Sequence, residues 1–257
     1  MNAIFKIAAI GFNVWRETLR NKGLFTLISF FILLLISSHG IDAAAMINSS
    51  RIVQTMGLFL FGLFGILSNI YMGNLFIQEI RKKQLNVILV RPISRTLFLS
   101  GKFFGILLVL MSIFLTASSV WLLILKINQV AIAQAHYWAL VFLFGEWMVI
   151  ASASLLFAVF TSPLLHGFFV FFFAFFGHYS KDLIVYSATQ ANLALKQLIL
   201  WLYYAIPNLE LVNFRRQMLY DQAITIQNLT TGGILVLLWT LVLFTGASVI
   251  FSKRNLY

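Results

Sequence analysis

The sequence predicts an all-α, polytopic membrane protein with six transmembrane helices. Three observations carry this prediction: 61% of the 257 residues are hydrophobic, only 10% are charged, and the apolar residues gather into six separate runs. Each run is near the roughly 20 residues that a helix needs to cross about 30 Å of hydrocarbon, and soluble domains carry about a quarter charged residues. None of the runs alternates like a strand. A helix satisfies its own backbone hydrogen bonds inside lipid, so helices are the expected form.

The chain opens with a segment of mixed polarity. Ile4, Ala8, Phe12, Trp15 and Leu19 recur at three-to-four spacing, with Asn2, Lys6, Asn13, Arg16, Glu17 and Arg20 elsewhere around the helix. This pattern predicts an N-terminal interfacial amphipathic helix over residues 1–22. Leu24–Ile36 followed by Ala43-Ala44-Ala45 imitates a cleavable signal, but the leading region of more than twenty residues is too long for one, so the segment is expected to be retained.

The six predicted spans are Leu24–Ile41, Val53–Ile77, Phe103–Leu125, Tyr137–Phe160, Leu164–Tyr186 and Gly233–Phe251. Gly57, Gly62, Gly65 and Gly73 in the second span, with Ser68 and Asn69, predict close helix approach near a pathway or dimer interface. The Phe168–Phe176 stretch reads as lipid-facing packing or as a wall for a lipophilic substrate.

Two connections are longer than turns. In Gln78–Lys102, a short helix from Glu79 to Leu89 breaks at Arg91-Pro92, because the residue before proline avoids helical geometry. Ser94 is placed to cap the helix that follows. In Ser187–Thr231, the apolar run Leu193–Ile206 is too short to span and predicts a re-entrant or surface helix.

Basic residues set the expected orientation. Placing the N-terminal region, the 79–102 connection and the C-terminal end inside puts 12 of the 18 Lys and Arg residues in the cytoplasm, leaving Arg51 and Lys126 in the two short outer loops. Both termini are then cytoplasmic. The net charge of +11 is accordingly assigned to membrane lipids and not to nucleic acid.

Chemistry is sparse. There is no cysteine, and the lone Gly101-Lys102 lacks the preceding glycine and following Ser or Thr of a phosphate-binding loop. Neither a His-Glu-x-x-His nor a Gly-x-Ser-x-Gly motif occurs, and His39, His136, His166 and His178 are scattered. No catalytic residue, metal site or cofactor is expected in this chain. Glu146, within the fourth span, is expected to face protein or water, as a helix-packing contact or as a pathway residue alongside Ser68 and Asn69. His178 and Asp182, four residues apart near the outer surface, are expected to pair with each other or to bind cargo.

Four motifs in order carry a family resemblance. They are Glu79 with Leu89-Val90-Arg91-Pro92-Ile93-Ser94-Arg95 and Gly101-Lys102; Phe160-Thr161-Ser162-Pro163; Gly177-His178-Tyr179-Ser180-Lys181-Asp182-Leu183; and Ile206-Pro207-Asn208-Leu209-Glu210 with Asn213-Phe214. The chain resembles the type-2 ABC exporter permeases, in the branch that includes the permease of nitrous-oxide-reductase maturation. It departs from that pattern at Lys83-Gln84, where the family often has Gly-Thr.

The resemblance implies a single transmembrane domain in a bacterial inner membrane. It further implies a second permease copy or homologue, and two ABC ATPase subunits that hold the ATP and Mg. The implied coupling helix would meet the ATPase through Glu79, Arg81, Lys82, Lys83, Asn86, Arg91, Pro92, Ser94 and Arg95. The alternative function is a non-transporting membrane scaffold or assembly factor that uses an ATPase to act on a periplasmic partner.

Overall fold

A computed structural model describes residues 3–44, 49–82, 94–190, 192–220 and 222–254, and among these there is no strand. The elements are α1 (Ala3–Leu19), α2 (Lys22–Ala44), α3 (Ser49–Arg81), α4 (Arg95–Ile127), α5 (Gln134–Phe160), α6 (Pro163–His178), α7 (Ser180–Thr189) and α8 (Leu193–Ala205). A 3-10 turn (Leu209–Val212), α9 (Arg215–Leu219) and α10 (Ile226–Lys253) complete the chain.

Four helices, α3, α4, α5 and α10, are long and apolar enough to cross a membrane. The count rises to 6 if each of two bent pairs forms one span. One pair is α1 and α2, bent by 67°; the other is α6 and α7, bent by 72°. The expected fifth span, Leu164–Tyr186, is therefore not one continuous helix. Its first part, α6, has 16 residues, or about 24 Å at 1.5 Å per residue, short of the hydrocarbon thickness.

At the centre lies α5, whose buried residues, from His136 to Val159, cover every side of the helix. Helices α3, α4, α6 and α10 pack around it. The packing is glycine-notched. A Cβ at Gly57 would overlap the indole of Trp121, one at Gly65 the indole of Trp147, and one at Gly73 the His166 ring. Each missing side chain is thus filled by a large ring from another helix, which is the close approach expected of the second span. Phe61, Phe64 and Phe114 complete an aromatic core around Trp147, with Phe114 edge-on to the indole at 5.0 Å between centroids.

Helix α1 packs lengthwise on α4. Gly11 meets the backbone of Gly101 and Gly105, and Val14 fills the notch at Gly105, so the Gly101-x-x-x-Gly105 spacing lets the two helices touch. The Trp15 indole N–H donates to Ser112 Oγ at 2.9 Å. Gly11, Val14 and Thr18 are buried on this contact, while Ile4, Phe5 and Phe12 remain exposed. Over Leu193–Ile206, α8 runs to Ala205 and packs chiefly on α7, leaving Trp201 and Tyr204 exposed.

Contacts define two ends of the bundle. The end of α3 meets the start of α4, and the start of α4 meets the end of α10. The α6–α7 bend and the 207–219 segment lie at the opposite end, beside the first half of α3.

Candidate functional site

Glu146 is the thirteenth residue of α5, and its side chain is 1% exposed. A carboxylate buried this deeply is costly unless it is paired and hydrogen-bonded. Two partners converge on it: His178 Nε2 lies 3.0 Å from Oε1, and Arg215 Nη2 donates to Oε2 at 3.4 Å. The cluster joins α5, the last residue of α6 and the first residue of α9.

Local chemistry explains how Arg215 gets there. Beyond α8, Pro207-Asn208 ends the helical run, and Asn208 Oδ1 accepts from the Glu210 N–H to start the 3-10 turn. Leu209, Val212 and Phe214 are buried, with Phe214 edge-on to Phe142 at 4.6 Å. Asn213 then donates to Glu210 Oε2 at 2.9 Å and accepts from the Arg215 N–H. The guanidinium passes over Gly62 of α3, where a Cβ would stand 2.9 Å from Nη2. Gly177, one residue before His178, seats the Leu209 side chain in the same manner.

His178 and Arg215, the two partners of Glu146, also line a cleft of 660 Å³ between α3, the α6–α7 bend and the 210–216 segment. Phe59, Leu63, Ile66, Phe171 and Phe175 form its apolar wall, and Lys181, Asp182, Glu210 and Arg216 its polar rim.

His178 therefore partners Glu146, and the expected pairing with Asp182 is corrected. The helix ends at His178 and α7 departs at 72°, so four residues of separation do not make helical neighbours here. Among the described residues, the Asp182 side chain forms no hydrogen bond or ion pair. Ser68 and Asn69 are fully buried on α3. Asn69 Nδ2 donates to Gly65 O at 2.8 Å and to Trp147 O at 3.4 Å, which makes it a helix-packing group and not a partner of Glu146.

Ser154 and His166 form a contact that no sequence motif announces. Ser154 Oγ is 3.0 Å from His166 Nε2 and donates to Asn69 O at 2.8 Å. Both side chains are buried, and Ser154 is already committed to a backbone acceptor. The pair is a packing contact, without the access that a nucleophile requires.

At the other end, Glu79 Oε2 and Lys102 Nζ stand 2.5 Å apart and tie the last turn of α3 to the first turns of α4. They border a small polar crevice of 210 Å³, shared with Glu17, Gln78 and Lys82. Ser94 caps α4 by accepting from the Leu97 N–H at 3.3 Å, as expected. Arg95 donates to the carbonyls of Ser252 and Arg254, at 3.1 and 2.6 Å, and Arg254 in turn donates to Val159 O. Arg81 closes α3 and, with Lys82, is exposed. Lys83, Asn86, Arg91 and Pro92 lie outside the described residues.

Two groups escaped the sequence reading: Arg215 as the counter-charge of Glu146, and Lys102 as that of Glu79. A signal existed for the first. An intramembrane carboxylate demands a cation, and Arg215 follows directly on the Asn213-Phe214 motif. No protein-family model and no curated protein matches this chain.

Proposed function

We propose that this chain is the membrane-spanning subunit of an ATP-binding cassette exporter of the type-2 permease kind. It would work in the bacterial inner membrane as one of two permease copies, with ATP and Mg held on two separate ATPase subunits. The observation that supports this reading is the double tie flanking residues 83–93. The Glu79–Lys102 pair closes the base of the connection between α3 and α4, and Arg95 binds the same corner to α10 and, through Arg254, to α5.

Force applied to that basic connection would reach four helices at once. A partner that closes on ATP could then rock them as a unit, parting the far end of the bundle, where Glu146, His178 and Arg215 hold three elements together. In this mechanism the cluster is the outer closure: a carboxylate held by the Arg215 guanidinium and hydrogen-bonded to His178 is stable when sealed, and hydration can replace either partner when the helices separate.

The test is cross-linking. Cysteines at Lys82 or Asn86, in a chain that has no native cysteine, are expected to cross-link to a co-expressed ABC ATPase subunit, with a yield that changes on ATP addition. Absence of any ATP-sensitive cross-link at both positions would reject the coupling role. Glu146→Gln is expected to abolish ATP-driven export while leaving assembly with the ATPase intact.

A further inference from the structure

The cleft above the Glu146 cluster has a lining that the exporter reading does not account for. Its wall is apolar and partly open: Phe59 and Leu63 on α3, and Phe171 and Phe175 on α6, are each between 40% and 55% exposed. These residues lie on helices whose outward faces are themselves apolar, so the wall continues laterally into the hydrocarbon phase. Its charged lining residues are Arg215, Lys181, Asp182, Glu210 and Arg216.

These charges divide by what already satisfies them. Arg215 is neutralised by Glu146 beneath it. Lys181 and Arg216 are exposed, and among the described residues neither side chain is held in an ion pair or a hydrogen bond. Asp182 is exposed and similarly uncommitted, and Asn213 engages only one oxygen of Glu210. Two cations and two anions thus face one cleft of 660 Å³, within the range of about 300–1,000 Å³ usual for small-molecule sites. An occupant carrying one sign of charge would meet repulsion from one pair. A zwitterion with separated charges satisfies both.

We propose that this cleft binds a zwitterionic glycerophospholipid with a primary ammonium headgroup, entering sideways from the bilayer. The phosphate lies against Arg216 and Lys181, since guanidinium and ammonium groups are strong phosphate partners. The ammonium donates to the carboxylates of Asp182 and Glu210, for which a primary amine, with three donors, is better suited than a methylated one. One acyl chain runs down the wall made by Phe59, Leu63, Phe171 and Phe175, where its burial contributes about 0.8 kcal/mol per methylene. The site does not depend on ATP coupling, and binding alone tests it.

The experiment is native mass spectrometry of the full-length chain purified in detergent and titrated separately with palmitoyl-oleoyl phosphatidylethanolamine, the matching phosphatidylglycerol and phosphatidylcholine, and water-soluble glycerophosphoethanolamine. The expected result is one retained phosphatidylethanolamine, at an occupancy at least fivefold above that of either other lipid, and no retained soluble headgroup. Arg216→Ala and Asp182→Asn, both at exposed positions, are each expected to lower that occupancy at least fivefold. Leu63→Trp, which fills the wall and leaves the rim intact, is expected to do the same. Equal retention of phosphatidylglycerol, retention of the soluble headgroup, or occupancy unchanged in the variants would each overturn the proposal. If Arg216→Ala fails to assemble, Asp182→Asn and Leu63→Trp decide.

Discussion

Glu146 illustrates how burial converts one side chain into an obligation for others. Its carboxylate is sealed in α5, and two basic groups, from the end of α6 and the start of α9, satisfy its two oxygens. Removing Arg215 leaves the buried carboxylate with His178 alone, and removing Glu146 leaves the guanidinium without its counter-charge, whereas removing both leaves polar groups of similar size beside His178. Glu146→Gln and Arg215→Gln are therefore each expected to destabilise the chain by about 3 kcal/mol. The double variant is expected to lose less than the sum, with a coupling of about 1–3 kcal/mol. Unfolding titrations in mixed micelles measure all four corners of the cycle; strict additivity would mean that the pair makes no net interaction. Asp182 shows the opposite situation. Exposed and uncommitted, it owes nothing to the packing and remains available to a ligand.

At the scale of the helix, stability rests on shape more than on polarity. Both faces of α10 are apolar, yet Val236, Thr240, Leu243, Ala247 and Phe251 are buried while Leu237, Leu238 and Leu241 are exposed. Without water there is no hydrophobic drive to choose a face, so notches and rings choose it. Gly65 of α3 receives the Trp147 indole, whereas nothing lies within 4 Å of a Cβ placed at Gly233 of α10. Gly65→Ala is thus expected to cost about 1–3 kcal/mol through overpacking. Gly233→Ala is expected to gain about 0.5–1 kcal/mol from helix propensity. The same micelle titration separates them, and equal effects at the two sites would show that the glycine notch does not set the packing of α3 on α5.

Across the whole molecule, the alternation of helix direction puts the Glu79–Lys102 tie and the Lys181–Asp182 rim at opposite ends. Sidedness turns this geometry into a topology. The basic connection is expected in the cytoplasm and the α6–α7 bend outside it. Single cysteines at Lys82 and Lys181 are accordingly expected to react with a membrane-impermeant maleimide from opposite sides: the second in intact spheroplasts, the first only after lysis. Labelling of both from the same side would refute the orientation and, with it, the coupling role proposed for residues 83–93.

Much of this architecture was legible because lipid imposes simple rules. Long apolar runs without alternation dictate helices, and the glycines of the second span announce close approach. Ser94 shows the signature of a cap, and the structure finds it capping α4. The partner of Glu146 was not legible in the same way. A lone carboxylate in a span states that a cation is needed, but the chain offers 18 Lys and Arg residues and four histidines, and nothing local ranks them. His178 and Asp182 stand four residues apart, as helical neighbours would, but the helix bends by 72° between them and separates the two. Composition and periodicity determine which segments must be helical, since each satisfies its backbone alone. Which faces touch, and which charges meet, depends on segments as far apart as Gly62 and Arg215 occupying one volume, and only the folded chain decides that.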